Sequence, residues 1–401
     1  MHSSDSAQRI VICCHDFSRG GTERIAIGLA KSWAAAGREV VFLVGTREGG
    51  LYDTIDPAVR VIELDPPVRR SLFSRFRLGA RMADMLPALQ PDIVFLPGNF
   101  HLQLCIPFAK VRRRSGGRWP IVFKMSNPIT PNRFTAPILR AVISAFRGSI
   151  DAVAALNSGL VAELHRIVPE ATIEVLPDPV YVRAAATPRS ARREDEPLHV
   201  VWAGRLEPQK DVGLALEALA ALPAAIPARL TVLGDGREGE TLPARIAALG
   251  LASRVDWHGH VDGIDPYLAA ADVLLMTSHY EGNPAVFQEA LAHDVPVVAT
   301  DCSYFMRDVM AGDDAAGIIV AGREPAALAA ALGAIDRRPV PEPGRLAGLV
   351  AHLSPEACAR AYLGWFDSTV IARRMAVVRR GAIHAGQPLG AGFVRREAAE
   401  S

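Results

Sequence analysis

Two glutamates in the C-terminal half of the chain, Glu281 and Glu289, stand eight positions apart. Carboxylates accept hydrogen bonds from hydroxyl groups, and Gly282 would let the backbone approach a bulky ligand closely. Because acids repel phosphates, the ligand of these two side chains should be neutral and rich in hydroxyls, such as a ribose or a hexose. The spacing alone is equally consistent with a surface acid followed by a solvated helix residue.

The segment between these two acids has the composition of a helix N-terminus. Asn283 suits the N-cap position, and Pro284 suits the first helical position, where its missing N–H is not needed. The backbone N–H groups of Ala285 and Val286 would then point out of the helix end, where the helix dipole favours an anion. A phosphate bound there would leave both acids within reach of neighbouring hydroxyls.

Two cations follow a predicted strand further towards the N-terminus. The strand ends at Gly204, and Arg205 and Lys210 come in the loop after it. Two cations at the carboxyl end of a strand, directed at a cleft, suit a diphosphate. The alternative is a set of surface salt bridges with Glu207 and Asp211.

Paired glycines, Gly20 and Gly21, precede the first predicted helix and offer further backbone N–H groups to a ligand. They do not form the Gly-x-Gly-x-x-Gly fingerprint, so a nicotinamide cofactor is disfavoured. The chain contains no Asp-x-Asp, the carboxylate pair with which some sugar-transfer enzymes hold a divalent metal. We therefore expect neither a metal nor a cofactor besides the substrates.

Short apolar runs alternate with helix-length segments along the chain, which predicts repeated β–α units with parallel sheets. The candidate strands fall into two series. The first series covers 9–15, 39–44, 59–64, 92–96, 121–125, 152–156 and 173–176. The second covers 198–202, 229–233, 255–257, 273–276, 295–299 and 317–320. A last helix is predicted from Ser354 to about Val370.

The 401 residues suit two domains rather than one core. A stretch rich in proline, alanine and charge separates the two strand series and has linker composition. We predict an α/β fold of two Rossmann-like domains that face a central cleft, where ligands of such sheets bind. The predicted parts are an N-terminal domain 1–182, a linker 183–196, a C-terminal domain 197–370 and a partly disordered tail 371–401.

The composition bounds the compartment and the partners. No apolar run reaches the length of a membrane span, the N-terminus does not resemble a signal peptide, and the five cysteines suit free thiols, so we expect a cytoplasmic protein. Residues 1–180 carry a net charge of +6 and residues 196–340 a net charge of −10. The basic half suits either a peripheral contact with an anionic membrane or a solvated arginine-rich face. Nucleic acid is disfavoured, because no aromatic residues are interleaved with the arginines.

These motifs, in this order, make the chain resemble the retaining GT-B glycosyltransferases of family 4. The resemblance extends from Gly20-Gly21 to the helix that begins at Ser354. Its most specific parts are Gly204-Arg205-Leu206 with Lys210, Gly234-Asp235-Gly236, Gly259, and Glu281-Gly282-x-Pro284 leading to Glu289.

The resemblance implies roles for the residues of the donor site. Arg205 and Lys210 would neutralise the donor diphosphate and stabilise the leaving group. Glu289 would hold the ribose hydroxyls. Glu281 and the backbone N–H groups after Gly282, from Asn283 to Val286, would hold the donor sugar and the distal phosphate.

Two further segments would complete the donor site. The loop from His258 to Val261 would face the base through its backbone, and Gly20 and Gly21 would close over the diphosphate from the N-terminal domain. Many relatives carry a histidine after the fifth strand of that domain, whereas this chain has Met125-Ser126-Asn127 there.

The resemblance implies transfer of a sugar from a UDP or GDP type donor to a hydroxyl of a glycan or lipid-linked glycan. The anomeric configuration would be retained, and the product would belong to a cell-surface polysaccharide. Because the histidine is missing, the alternative is a catalytically weak GT-B subunit that binds a glycan or a partner enzyme.

Overall fold

The computed structural model describes residues 6–18, 20–71, 74–126, 148–167, 172–179 and 196–384. The predicted linker, except its last residue, lies outside the described residues, as does the end of the predicted tail, 385–401. Asn127, from the segment where relatives carry a histidine, also lies outside them.

The first half of the chain forms a parallel sheet, as predicted. Its strands are β1 Arg9–Cys14, β2 Glu39–Val44, β3 Arg60–Glu63, β4 Ile93–Leu96, β5 Ile121–Met125, β6 Ala152–Ala155 and β7 Ile173–Val175. Their order in the sheet is β3-β2-β1-β4-β5-β6-β7. The central strands β1 and β4 are almost wholly apolar because helices cover both faces of the sheet.

The second half forms another parallel sheet. Its strands are β8 Leu198–Ala203, β9 Ala228–Leu233, β10 Val255–Trp257, β11 Val273–Met276, β12 Val297–Thr300 and β13 Gly317–Val320, in the order β10-β9-β8-β11-β12-β13. Every predicted strand is confirmed, with ends that differ by at most two residues. The strand predicted over 295–299 begins later, because Pro296 has no N–H to donate to a neighbouring strand.

Helices connect the strands in both halves. Those described in the first half are α1 Gly21–Ala35, α2 Ser74–Leu89, α3 Cys105–Arg114 and α4 Ser158–Ile167. Those described in the second half are α5 Val212–Ala220, α6 Leu242–Ala248, α7 Asp265–Ala269, α8 Ala285–Ala292, α9 Tyr304–Met310, α10 Pro325–Asp336, α11 Arg345–Val350 and α12 Pro355–His384. Short 3-10 turns cover Tyr52–Thr54, Asn99–Leu104, Arg237–Glu240, Asp314–Ala316 and Ala351–Leu353. Within the described ranges, no helix is both long and apolar enough to cross a membrane.

The last helix corrects the predicted domain limits. It was expected to end near Val370 and to belong to the second domain, but α12 continues to His384. Beyond Val370, Arg373 donates a hydrogen bond to Asp151, at the start of β6, at 3.0 Å. The segment that the sequence assigned to a tail is therefore helical to His384 and lies against the first domain.

An aromatic cluster holds α12 on the first domain. Trp33 of α1 is fully buried, and its ring centroid lies 5.0 Å from that of Phe366 and 5.9 Å from that of Tyr362. Phe95 of β4 completes the cluster, 5.7 Å from Trp33. Composition could not assign α12 to either sheet, because its apolar residues would suit a core on either side.

The two domains touch along the cleft between their sheets. Asn157, just after β6, donates from its side-chain amide to the carbonyl oxygen of Gly282 at 3.3 Å. A second contact runs from Tyr304 to the carboxylate of Glu163, at 3.1 Å. The loop with the first acid of the predicted donor site is thus in contact with the N-terminal domain.

Candidate active site

Lys210 and Glu281 form an ion pair at the carboxyl edge of the second sheet. They follow β8 and β11, which are neighbours in that sheet. Lys210 Nζ lies 2.6 Å from Glu281 Oε1, and their side chains are 17% and 10% exposed. Gly204 packs against the Lys210 side chain, since an added Cβ would lie 3.5 Å from Lys210 Cδ. The structure thus brings together the predicted cation and the predicted acid.

Arg205, the second predicted cation, lies exposed in the same loop. Among the residues that the structure describes, Arg205 has no ion-pair partner, so its charge is available to an incoming ligand. Glu207, which could have paired with it, accepts from Arg237 Nε at 2.7 Å instead. The set of surface salt bridges considered from the sequence is therefore wrong for Lys210 and Arg205.

The helix start between the two glutamates is present, but its cap differs from the prediction. α8 begins at Ala285, and its N-cap is Pro284, with φ −71° and ψ 112°, rather than Asn283. The side-chain oxygen of Asn283 accepts a hydrogen bond from Gln288 instead. In the described part of the chain, no group accepts a hydrogen bond from the N–H of Ala285 or Val286. The helix end therefore keeps two donors for an anion.

The loop that carries Glu281 is held by three contacts. The N–H of Glu281 donates to the carbonyl oxygen of Cys302 at 2.8 Å. The carbonyl oxygen of Gly282, a buried residue, accepts from the hydroxyl of Ser303 at 3.1 Å and from Asn157 of the first domain. These contacts leave the Glu281 carboxylate to Lys210 and to the cleft.

Glu289 lies on α8 and faces the first domain. Arg24 Nη2 lies 3.8 Å from Glu289 Oε1. Burial raises the pKa of Glu289, and the charge of Arg24 opposes that rise. Arg24 is on α1, whose N-terminus is formed by Gly20 and Gly21, so the paired glycines begin a helix as predicted. Their contact with a diphosphate stays a prediction. Arg24 itself was not predicted, because nothing in its local sequence indicates a partner in the other domain.

The loop predicted to face the base lies at the end of β10. His258 is exposed, and its ring packs against Tyr267 with centroids 5.2 Å apart. The carbonyl oxygen of Gly259 accepts from the N–H of Gly234, at 2.7 Å, which joins the loops after β9 and β10. Val261 is half-buried against the core. β9 separates this loop from the strand that leads to Lys210, and its role towards a base stays a prediction.

An exposed arginine pairs with two buried acids at the carboxyl edge of the first sheet, a cluster that the sequence reasoning missed. Arg70 Nη2 lies 2.9 Å from Asp16 Oδ1 and 3.1 Å from Glu23 Oε1. Burial alone would raise the pKa of Asp16, but hydrogen bonds from Arg70 and Ser18 outweigh it and lower that pKa. The cluster could not be found from the sequence, because Arg70 joins acids 54 and 47 positions away.

Two histidines border the same cluster. His15 Nε2 lies 3.0 Å from the carbonyl oxygen of Val68. Burial, followed by the charge of Arg70, lowers the pKa of His101 to about 4, so this ring is neutral at pH 7. His101 Nδ1 is buried and has no partner among the described residues. These rings lie near the strand ends where the histidine of many relatives would be expected.

Two Rossmann-like parallel sheets that face a central cleft define the GT-B class of fold. The family model described as "Glycosyl transferase 4-like domain" matches residues 20–179, and the one described as "Glycosyl transferases group 1" matches residues 197–335. The chain belongs to this glycosyltransferase family.

Curated relatives agree with this assignment. The chain is 30% identical over 256 residues to the lipopolysaccharide 1,6-galactosyltransferase of Escherichia coli K12. The matched stretch covers 60% of this chain and 67% of that protein. It is 31% identical over 240 residues to the D-inositol 3-phosphate glycosyltransferase of Xylanimonas cellulosilytica, covering 57% and 54%. The matched stretches thus span between about half and two thirds of these relatives.

Solved structures share the fold. The apo form of the lipopolysaccharide outer core galactosyltransferase WaaB has a TM-score of 0.71 at 19% identity, covering 88% of this chain and 98% of that one. HepE of Anabaena in complex with UDP has a TM-score of 0.65 at 18% identity, covering 93% and 100%. The predicted fold is confirmed.

Proposed function

We propose that this protein transfers a sugar from a nucleotide diphosphate sugar to a hydroxyl of a glycan or lipid-linked glycan. The observation that carries the proposal is the juxtaposition of the Lys210–Glu281 pair with the two unpaired N–H groups at the start of α8. Glu289, further along the same helix, supplies a carboxylate for hydroxyls. A diphosphate with a sugar at each end suits such a site, because the ammonium and N–H groups would bind the phosphates and the two carboxylates would bind the sugar hydroxyls.

The chemistry follows from the charges at the site. When a donor binds, its diphosphate competes with Glu281 for the ammonium group of Lys210, and the exposed Arg205 adds a second cation. Both charges are worth most when the departing phosphate gains negative charge in the transition state. Glu281, released from Lys210, can accept hydrogen bonds from hydroxyls of the transferred sugar.

Retention of configuration needs no enzymic nucleophile in this proposal. The departing phosphate oxygen accepts the proton of the acceptor hydroxyl on the same face of the sugar, and the acceptor oxygen forms the new bond as the phosphate leaves. The two cations stabilise that oxygen while it remains close by. No metal is required, because Lys210 and Arg205 supply the positive charge that a divalent cation would otherwise provide.

The donor we propose is a UDP-hexose, and the product a cell-surface polysaccharide or lipopolysaccharide. Supporting this, one relative is named a lipopolysaccharide galactosyltransferase and HepE of Anabaena was solved with UDP-glucose. The alternative of a catalytically weak subunit is not favoured, because it predicts a degenerate donor side. Lys210 instead pairs with Glu281, and Glu289 lies on the helix that follows Glu281.

A donor screen tests the proposal. Purified protein is incubated with UDP-glucose, UDP-galactose, UDP-N-acetylglucosamine and GDP-mannose, and nucleotide release is measured, with UDP and GDP affinities from calorimetry. We expect one donor to be hydrolysed slowly without acceptor, and UDP to bind more tightly than GDP. Absence of binding to either nucleotide would exclude the donor site, and inversion seen by proton NMR of a product would refute the mechanism.

We also propose that the first domain contacts an anionic membrane surface. Phe76 on α2 is 72% exposed and Ile106 on α3 is 44% exposed. The two helices pack together, since a Cβ at Gly79 would lie 3.0 Å from Pro107 Cγ. Both helices also carry exposed arginines, namely Arg75, Arg77, Arg113 and Arg114. An apolar pair within a basic surface is the composition that binds anionic lipid headgroups.

Liposome sedimentation tests the membrane contact. The protein should sediment with vesicles that contain phosphatidylglycerol, less so in high salt, and Phe76→Ser should weaken the binding. Val340→Ser, which removes an exposed apolar side chain from the second domain, is the matched control. Equal binding to neutral vesicles, or no loss in Phe76→Ser, would count against this surface.

A further inference from the structure

The side chain of Arg323 joins the two loops that carry Lys210 and Glu281. It follows β13, and its Nη1 donates to the carbonyl oxygen of Ser278, in the loop that leads to Glu281, at 2.9 Å. Its Nη2 lies 2.6 Å from Oδ2 of Asp211, the residue directly after Lys210. One guanidinium group therefore contacts both the loop that carries Lys210 and the loop that carries Glu281.

Asp211 has a backbone conformation that needs such support. Its φ of +50° and ψ of 63° lie in the left-handed region, a backbone conformation that residues other than glycine rarely adopt. Its Oδ1 accepts a hydrogen bond from the N–H of Leu214 at 3.1 Å, and its carbonyl oxygen accepts from the hydroxyl of Thr277 at 2.7 Å. A residue in this region persists only where its surroundings hold it, and such residues concentrate at functional sites.

The charge of Asp211 matters as much as its conformation. Its side chain is 25% exposed and belongs to the residue directly after Lys210. Without Arg323, its carboxylate would be left as a second acidic partner for the Lys210 ammonium. The only other basic group near that carboxylate, among the residues described, is His279, whose Nε2 lies 3.6 Å away. By neutralising Asp211, Arg323 keeps Lys210 with Glu281 and reduces repulsion of a diphosphate.

We propose that Arg323 is a positioning residue of the donor site, which holds Lys210 opposite Glu281 by pairing with Asp211. It acts through Lys210. The inference rests on the proposed function in one respect, because Lys210 is the group assigned to the leaving diphosphate. The position of Lys210 can nevertheless be measured without any substrate.

The first test measures the chemical reactivity of lysine. The chain has four lysines, and Lys31, with 69% of its side chain exposed, serves as the internal reference for acylation followed by peptide mass spectrometry. Lys210 should react slowly in the wild type, because it is mostly buried and paired. Arg323→Ala should increase its rate relative to Lys31 by about tenfold, the factor for about 1.4 kcal/mol of lost pairing, and Arg323→Ala/Asp211→Gly should reverse most of that increase.

The second test measures turnover in the same variants. Arg323→Ala should lower kcat 10- to 100-fold, and adding Asp211→Gly should restore it to within a few-fold of wild type. Glycine adopts the left-handed conformation without strain and removes the competing carboxylate. A purely structural role would not produce this reversal, because the second substitution adds no bond.

Arg338→Ala is the matched control. Arg338 Nη1 also donates to a carbonyl oxygen beside β13, that of Asp314 at 2.8 Å, but at the opposite end of the strand. It should lower the melting temperature without changing kcat or Lys210 reactivity. If Arg323→Ala does not fold, Arg323→Gln, which keeps donors without the charge, is measured in its place.

The outcomes separate this inference from the proposed function. Unchanged Lys210 reactivity in Arg323→Ala, or a double variant as impaired as the single one, would overturn the positioning role. If the wild type turns over no donor while Lys210 reactivity changes as expected, the proposed function fails and the positioning role stands.

Discussion

Replacing Lys210 by methionine tests the centre of the donor site. The change keeps most of the side-chain length and removes the charge, so Glu281 loses its partner in a site where it is 10% exposed. At the 2.6 Å separation of the pair, an effective dielectric constant of about 20 gives an attraction of about 6 kcal/mol, much of which desolvation offsets. We expect the free energy of unfolding to fall by about 2 kcal/mol, between the values for surface and fully buried pairs.

The effect on catalysis should be larger than the effect on folding. Lys210 is the least exposed cation in the donor loop, and removal of one such donor from a transition-state site lowers kcat by about 10²–10³. UDP should bind about tenfold more weakly, because a hydrogen bond to a charged group contributes about 1.5 kcal/mol. A loss of kcat larger than the loss of UDP affinity would show that the charge acts mainly on the departing phosphate.

Nucleotide release, calorimetry with UDP and denaturant unfolding measure these three quantities. Lys210→Met/Glu281→Gln should regain stability without regaining kcat, since a neutral amide needs no counter-charge. Arg245→Met, which removes an exposed cation paired with Glu217, should leave all three nearly unchanged. A folded Lys210→Met protein with wild-type kcat would refute the assignment of Lys210.

Three further predictions concern other parts of the molecule. Burial raises the pKa of Glu289 above its ordinary 4.5, and only the ionised acid accepts hydrogen bonds from both ribose hydroxyls. The affinity for UDP, measured by calorimetry, should therefore fall as the pH drops through that raised pKa. In Glu289→Gln, the affinity should not depend on pH. Trp33→Ala should lower the free energy of unfolding by about 3–5 kcal/mol, and Trp33→Phe should lower it by much less, because alanine leaves a larger cavity under α12 than phenylalanine does. Equal losses of the two variants in denaturant titrations would contradict this. EDTA should leave nucleotide release unchanged. If EDTA abolished nucleotide release and added Mg²⁺ or Mn²⁺ restored it, the metal-free mechanism would be contradicted.

The strands could be predicted from the sequence because they depend on short-range patterns, and the candidate anion sites were proposed from patterns of the same kind. Apolar runs between helix-length segments identified all strands of both sheets, since a strand buried on both faces must be apolar throughout. The Gly204–Lys210 loop and the Glu281–Glu289 segment were recognised for a similar reason. Their chemistry depends on residue types within a few positions of each other.

The cap of α8 shows how a local rule can fail. Asn283 is a better N-cap residue than Pro284 in isolation, yet its side chain binds Gln288 and the helix begins one residue later. A hydrogen bond to a residue five positions on competed with the cap. The N–H groups of Ala285 and Val286 are unpaired in the described structure because the Asn283 side chain, which as a cap would have accepted from one of them, binds Gln288 instead.

What the sequence by itself determined was the class of the two domains and the position of each strand, while its residues for a diphosphate sugar stay a prediction. Only the tertiary structure decided which charges meet: Lys210 with Glu281, Arg323 with Asp211, Arg24 with Glu289, and α12 with the first domain. The physical reason is that sheet order and domain packing bring distant segments together. A charge or an apolar face has many compatible partners in the sequence until that packing selects one.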